Sequence, residues 1–454
     1  MNYKNLQAAG VLLFSLSFLV QPALAQKDAT PMQTNFLTPP DSSKPGLYWY
    51  WLNGNISKEG VEKDLESMAK VGIGRAFIGN IGLGNEVPNG KVKMFTDDWW
   101  DVVRAAMKAG TKLGVDIGTF NSPGWSQSGG PWVKPTETMR YLGSSEVQVT
   151  GPKTISIKLA TPGADFQDVA VLAFPTKKHT ELAQLKPVVK TSLPVSNTAN
   201  MVDGDIKTES TFSADIMQKK EVVIDITTVK PLAAQSLLVY TSQNSISANA
   251  ELQVLGKTGY KTVKKFPLQR HNSALNVGFM PYAPVVVSFA KVTGSKFRLL
   301  LTDINGGNSG IAEIKLTSQP YVESYPEKQL AKMFQTPLPL WNEYQWKSQP
   351  ESMEEEDYTD PSEMINITSS LSKDGTLNWK VPKGNWTVVR YGMQPTGVTN
   401  SPAPAEGTGL EVDKMNSEAL VTLFDSFVGQ MIKKIPADER KSFKYVVADS
   451  YETG

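Results

Sequence analysis

The 454-residue sequence has a formal net charge of +1, no cysteine and two histidines, His179 and His271. The lack of cysteine excludes disulfides, thiolate metal sites and cysteine nucleophiles, and two histidines argue against a histidine-rich metal site. Without a basic run, the charge also argues against nucleic acid as a partner. Chemistry must therefore rest on carboxylates, amides, hydroxyls and aromatic rings, in a chain long enough for two or three domains.

The first 25 residues have the pattern of a signal peptide. Lys4 is followed by an apolar run over residues 11–20, and Ala23-Leu24-Ala25 has the small residues that signal peptidase prefers. The run is shorter than the roughly 20 residues that span a bilayer. We therefore expect cleavage after Ala25 and a periplasmic or secreted protein without a membrane span.

Strands and helices alternate between residues 26 and 143. The pattern predicts a strand at 48–51, a helix that begins after Ser57, a strand at 75–78, a helix that begins after Thr96, and a strand at 115–120. Such alternation is typical of a parallel α/β sheet or barrel. We assign residues 26–143 to one part of this α/β unit, which the resemblance given below implies is the first part of a TIM-barrel catalytic domain.

The pattern changes to short alternating strands over residues 144–320, which predicts an inserted β-sandwich. Residues 321–454 are predicted to return to the barrel. The elements expected there are strands at 386–394, 410–412 and 445–448, and one helix from Ser417 through Ile432.

A (β/α)₈ barrel needs eight strands, and the sequence offers four or five candidates. The strand count leaves two possibilities, a small open sheet or an incomplete barrel. The predicted fold class is α/β plus all-β, with an incomplete (β/α)₈ TIM barrel interrupted by a β-sandwich insertion.

Groups that recognise sugars follow three of the predicted barrel strands. Sugars stack their apolar faces on aromatic rings and bind amides and carboxylates through their hydroxyls. The candidate substrate-binding residues are Trp51, Asn53, Asn55, Asn121, Trp125, Ser126, Trp132 and Asp449, and the candidate catalytic residue is Glu452. From the residues alone, packing of the tryptophans and helix capping by the acids stay open as alternatives.

Two acidic residues suggest a cation site. Glu411 and Asp413 are two positions apart, so on a strand they would face the same side, and Glu406 is near in sequence. Oxygen ligands suit calcium in a chain without cysteine. A solvated acidic strand edge is the alternative explanation.

Five motifs, in order, resemble the α-L-rhamnosidases of glycoside hydrolase family 106. They lie at residues 39–55, 121–132, 379–390, 409–414 and 449–452. The resemblance implies a TIM barrel with accessory β-domains, calcium dependence and an inverting mechanism. It also implies a catalytic glutamate at Glu452, to which we assign the general-base role, and a general acid beyond Gly454. Phe120 and Ser122 stand where we expect a histidine and a cysteine, which leaves the sugar contacts at those positions open.

The inserted region separately resembles galactose-binding-like (discoidin-like) sandwiches. The motifs are Val202-Asp203-Gly204-Asp205, Phe297-Arg298-Leu299 and Ala312-Glu313-Ile314. Such modules bind sugar or calcium, or serve a structural role.

The function that these features predict is hydrolysis of terminal α-L-rhamnosyl linkages in rhamnose-containing poly- or oligosaccharides. One alternative is a carbohydrate-binding protein without turnover. The other is a barrel hydrolase that acts on another deoxy-sugar or a uronide.

Overall fold

The computed structural model describes residues 32, 34–36, 40–126, 128–270, 280, 282–329 and 359–448. Contacts divide the chain into two units. The first runs to Val133 and resumes at Thr399, and the second runs from Lys134 to Val398.

The strands found in these residues are β1 (Gly46–Leu52), β2 (Arg75–Ile81), β3 (Asp116–Phe120), β4 (Arg140–Lys158), β5 (Gln167–Pro175), β6 (Val188–Thr191), β7 (Ser210–Thr211), β8 (Glu221–Thr241), β9 (Ile246–Gly256), β10 (Gly259–Arg270), β11 (Val285–Asn305), β12 (Gly310–Thr317), β13 (Ile365–Asn366), β14 (Thr376–Pro395) and β15 (Phe443–Val447). The α-helices are α1 (Lys58–Lys70), α2 (Asp97–Leu113), α3 (Ala214–Lys219), α4 (Tyr325–Lys328), α5 (Ser417–Ser426) and α6 (Val428–Lys434).

The first unit contains a four-stranded sheet in the order β1-β2-β3-β15. All three pairings are parallel. The predicted strands at 48–51, 75–78, 115–120 and 445–448 are therefore confirmed, within a few residues at their ends. These four strands form an open sheet, so closure into a barrel stays a prediction.

Local signals define the two helices between these strands. The Ser57 hydroxyl accepts a hydrogen bond from Gly60 N at 3.0 Å, and Thr96 caps α2 in the same way. Gly114 ends α2 with a φ of +68°, a left-handed conformation that glycine adopts without strain. Both predicted N-caps are confirmed.

The sheet has two different faces. Alternate side chains such as Trp49, Trp51 and Ile78 point to one side, where they form a common core with α1, α2 and α6. The opposite face carries aromatic rings, including Tyr48 and Phe120, whose centroids are 4.9 Å apart. Because strand side chains alternate between faces, neighbouring residues of β1 belong to different surroundings.

Two predicted elements after Thr399 are wrong. Residues 410–412 form single bridges, Leu410 to Thr399 and Glu411 to Gly129, rather than a strand of the sheet. The helix predicted from Ser417 through Ile432 is broken at Phe427, where φ is −121° and ψ is −75°. The break lets the Phe427 ring, which is fully buried, enter the helix-facing core.

The second unit departs from the predicted boundaries. β14 pairs with β4 and β5 in a four-stranded antiparallel sheet, so the strand predicted at 386–394 belongs to this unit rather than to the barrel. The pairing buries one face of each strand, with Val171, Leu377 and Val388 in a common core. The unit therefore extends beyond the predicted 144–320, because a long-range pairing holds both ends of it together.

The remaining strands of the second unit form a largely antiparallel sheet in the order β10-β9-β11-β8-β12-β7, with β6 also paired to β8. Its core is the largest cluster of buried apolar side chains among the described residues. The predicted all-β character is confirmed, whereas the galactose-binding-like assignment stays a prediction. None of the described helices is both long and apolar enough to cross a membrane.

Candidate functional site

The carboxyl ends of β1, β2, β3 and β15 lie at one edge of the parallel sheet, where α/β proteins place their reactive groups. The loop that follows β3, residues 121–133, begins next to the end of β15. Asn121 N donates to Val447 O at 2.8 Å. The end of β15 therefore lies beside the start of this loop.

The predicted catalytic Glu452 and the predicted substrate ligand Asp449 lie outside the described residues. Both follow the end of β15 within five positions in the sequence. Their assignments stay predictions.

Trp125 and Tyr50 form a partly exposed aromatic surface at this edge. Their ring centroids are 5.5 Å apart at 31°, and Tyr50 is 41% exposed. Ser126 forms a bridge with Ser401, which fixes the backbone next to the Trp125 ring. A rigid aromatic surface beside hydroxyl groups has the chemistry to stack on a sugar ring.

Asn121 holds the loop after β3 together and keeps one polar atom available. Its Nδ2 donates to Ser128 Oγ at 2.7 Å. Its Oδ1 accepts no hydrogen bond from the described part of the chain, so it can accept one from a ligand hydroxyl.

Asn53 and Asn55, also predicted to bind sugar, use their amides to hold the loop after β2. Asn53 Nδ2 donates to the carbonyls of Gly84 and Val87, and its Oδ1 accepts from Leu83 N at 2.7 Å. Asn55 Nδ2 donates to Pro88 O at 2.6 Å. These contacts give both residues a role in shaping the edge.

Trp132 packs in the helix-facing core. Its ring is stacked on Phe427 with a centroid distance of 6.0 Å, and Phe95 meets it edge-on at 5.9 Å. A ring placed between these two residues has a packing role. Its indole N–H has no hydrogen-bond partner among the described residues, and a sugar contact by Trp132 stays a prediction.

A cavity of about 470 Å³ lies at the same edge, on the helix-facing side of β1 and β2. Trp51, a predicted substrate residue, and Asn80 line it. Asn80 Oδ1 accepts a hydrogen bond from the buried Trp99 indole at 3.1 Å. Asn80 has no periodic or motif signal in the sequence, because a single amide inside an apolar strand has no distinctive spacing.

The residues predicted to bind calcium do not fit a cation. Glu411 is 4% exposed and its Oε2 lies 3.2 Å from the ammonium of Lys414, which is also buried. Asp413 accepts from Met415 N in a local turn. Nowhere in the described ranges do three His, Cys, Asp or Glu side chains come together in a way that could hold a metal. The ammonium of Lys414 repels a cation at this position. Calcium binding therefore stays a prediction, and none of the described residues is assigned to it as a ligand.

Asn400 is a further site residue that sequence reasoning missed. Its side chain is 1% exposed, and its Nδ2 donates to Pro123 O at 2.7 Å and to Gly407 O at 3.0 Å. Its Oδ1 accepts from Gly409 N at 2.9 Å. One amide therefore ties the loop that carries Trp125 to residues 407–409.

In the second unit, two of the motifs singled out in the sequence contact each other. Gly204 N donates to Glu313 Oε2 at 3.1 Å. Burial raises the pKa of the Glu313 carboxyl to about 7, and the nearby charge of Asp203 acts in the same direction. The contact connects the Asp-Gly turn to β12 and supports a structural role for both motifs.

A parallel α/β sheet with aromatic rings and amides at its carboxyl edge has the place and the residue types of a ligand site. The sequence profile of the α-L-rhamnosidases, glycoside hydrolase family 106, matches residues 37–454. The chain therefore belongs to this family.

Two individual relatives, one similar in structure and one in sequence, have different names. A rhamnosidase structure from Novosphingobium sp. PP1Y is similar with a TM-score of 0.71 and 28% identity, over 93% of this chain and 40% of that one. A protein from Formosa agariphila, provisionally named a β-glucuronidase, is 25% identical over 98% of this chain and 26% of its own length. The chain thus spans less than half of either relative.

Replacement of Asn400 by alanine should lower the free energy of unfolding by about 3 kcal/mol, because three buried backbone groups lose their partner. Urea denaturation measures this change. Asn89→Ala, at an exposed asparagine, is the matched control and should change it by less than about 0.5 kcal/mol. Equal effects of the two substitutions would contradict the role assigned to Asn400.

Replacement of Lys414 by methionine should cost about 3–5 kcal/mol, because the Glu411 carboxylate stays buried without its cation. The double variant Lys414→Met, Glu411→Leu should regain most of this loss. Urea denaturation with and without a calcium chelator tests the pair. If the chelator lowers the stability of the wild type but not that of Glu411→Leu, Glu411 binds calcium instead.

Proposed function

We propose that the protein hydrolyses terminal α-L-rhamnosyl linkages of poly- or oligosaccharides. The observation that carries the proposal is family membership over residues 37–454, which includes the predicted catalytic segment. The partly exposed Trp125–Tyr50 pair at the carboxyl edge supports it, because this surface has the chemistry that sugar binding requires.

In this proposal the reaction inverts the anomeric centre. Glu452 acts as general base and removes a proton from the attacking water, while a carboxylic acid protonates the leaving oxygen. The two carboxyl groups of inverting enzymes are about 6.5–9.5 Å apart, which leaves room for the water. The hydrogen bond from Asn121 N to Val447 O supports a place for Glu452 near the loop after β3.

Three of the residues that the structure describes, Tyr50, Asn121 and Trp125, bind the sugar in this reaction. The Trp125–Tyr50 surface packs against an apolar face of the sugar, and Asn121 Oδ1 accepts a hydrogen bond from a sugar hydroxyl. Asn400 and the Ser126–Ser401 bridge hold these groups in place. Binding groups that are already positioned reduce the entropy that the sugar must lose in the reactive complex.

Substitution of Glu452 by glutamine tests the catalytic role. Without a general base, kcat for an aryl α-L-rhamnoside should fall by about 10²–10⁴-fold, with a smaller change in KM. The assay measures release of the aryl group by the protein from the full reading frame. Glu418→Gln, at an exposed carboxylate at the start of α5, is the control and should keep wild-type kcat. Wild-type kcat in Glu452→Gln would remove this residue from the mechanism.

The same assay separates the alternatives. Binding of rhamnosides without release of the aryl group supports a carbohydrate-binding protein. Faster turnover of an aryl β-D-glucuronide than of the rhamnoside would support a uronide substrate, which the name of the Formosa agariphila relative makes worth testing.

Export remains part of the proposal, with cleavage of the signal peptide after Ala25. Mass spectrometry of the protein from the periplasm or medium should give an N-terminus at Gln26. An intact Met1 terminus on protein that stays in the cytoplasm would contradict export.

A further inference from the structure

The cavity beside Trp51 has the properties of a ligand site. Its volume of about 470 Å³ lies inside the range of about 300–1,000 Å³ that small-molecule sites occupy. Its walls come from the end of β1, the loop after β2 and residues 403–406, all within the first unit.

Close backbone packing gives these walls a defined shape. A Cβ at Gly82 would lie 2.4 Å from Ala403 O, and one at Gly90 would lie 2.1 Å from Gly54 O. Only glycine permits these approaches, and Gly90 N also donates to Asn53 O at 2.8 Å. Because the walls are fixed before a ligand arrives, little conformational entropy is lost on binding.

Two polar groups on the cavity wall have no partner among the described residues. Trp51 is 3% exposed, and its indole N–H has no acceptor. Asn80 is 4% exposed and uses its Oδ1 for Trp99, whereas its Nδ2 makes no hydrogen bond. The Trp51 N–H is buried without an acceptor, which is costly, so a ligand that brings a hydroxyl oxygen would relieve it. The Asn80 amide offers a second donor to the same ligand.

The charges at the cavity favour a neutral ligand. Lys93 and Glu406 line it, both are exposed, and neither forms an ion pair within the described ranges. A neutral polyol can accept a hydrogen bond from the ammonium and donate one to the carboxylate. An anionic sugar would gain from Lys93 and be repelled by Glu406.

We propose that this cavity binds one neutral pyranose unit of the carbohydrate substrate. The choice of a sugar as the ligand rests on the proposed function. Trp51 belongs to the helix-facing side of the sheet, whereas Trp125 packs on Tyr50 on the opposite face. The cavity is therefore a second sugar position, additional to the Trp125–Tyr50 surface.

Fluorine NMR of protein labelled with 5-fluorotryptophan tests this proposal, with L-rhamnose and D-glucuronate as probes. The Trp51 resonance is assigned by its loss in Trp51→Phe. L-Rhamnose should shift it saturably, and D-glucuronate should bind at least fivefold more weakly. Ala405→Phe, which fills the cavity from an exposed lining position, should raise the apparent Kd for L-rhamnose at least tenfold.

Ala405→Ser is the matched control, because it leaves the cavity open, and it should keep the wild-type Kd. A Trp51 resonance that L-rhamnose does not move, an unchanged Kd in Ala405→Phe, or tighter binding of D-glucuronate would each overturn the proposal. Hydrolysis of the aryl rhamnoside is measured on the same samples. If the rhamnoside is hydrolysed but the Trp51 resonance does not shift, only sugar binding in the cavity is rejected. If the resonance shifts but the rhamnoside is not hydrolysed, only the proposed hydrolase function is rejected.

Discussion

The pairing of β3 with β15 is the contact on which the first unit depends. It joins parts of the chain separated by the whole second unit, and Ser442 hydrogen-bonds to Thr111 and Met107 of α2 across 331 and 335 positions. Closing so long a loop costs entropy that grows only slowly with its length, so a few buried hydrogen bonds and an apolar core can offset it. The pairing brings the end of β15 to the edge that already carries Trp125.

Residues that follow Thr399 also stabilise this edge of the sheet. Asn400, the bridge of Ser126 with Ser401, and the bridge of Gly129 with Glu411 all fasten the loop after β3. The buried Lys414–Glu411 pair lies in the same segment. These contacts thus fix the shape of the loop that carries Trp125.

How much the sequence could predict depended on the range of the interactions. Ser57, Thr96 and Gly114 act through bonds within a few residues, so their patterns identified both helices correctly. The predicted boundaries of the second unit were wrong because the β4–β14 pairing connects residues more than 200 positions apart.

The roles of individual side chains also depend on contacts that are distant in the sequence. Asn53 and Trp132 have the residue types that bind sugar, but only the fold shows that one holds a loop and the other packs on Phe427. The motifs, in contrast, identified the family correctly, because they record a whole arrangement rather than one local preference.

The proposed inverting α-L-rhamnosidase activity is tested by proton NMR of the first sugar released from an aryl α-L-rhamnoside, recorded before mutarotation. An inverting enzyme releases the β-anomer of L-rhamnose first. Initial release of the α-anomer would contradict inversion, and the absence of any released rhamnose from folded protein would contradict the assignment of the substrate.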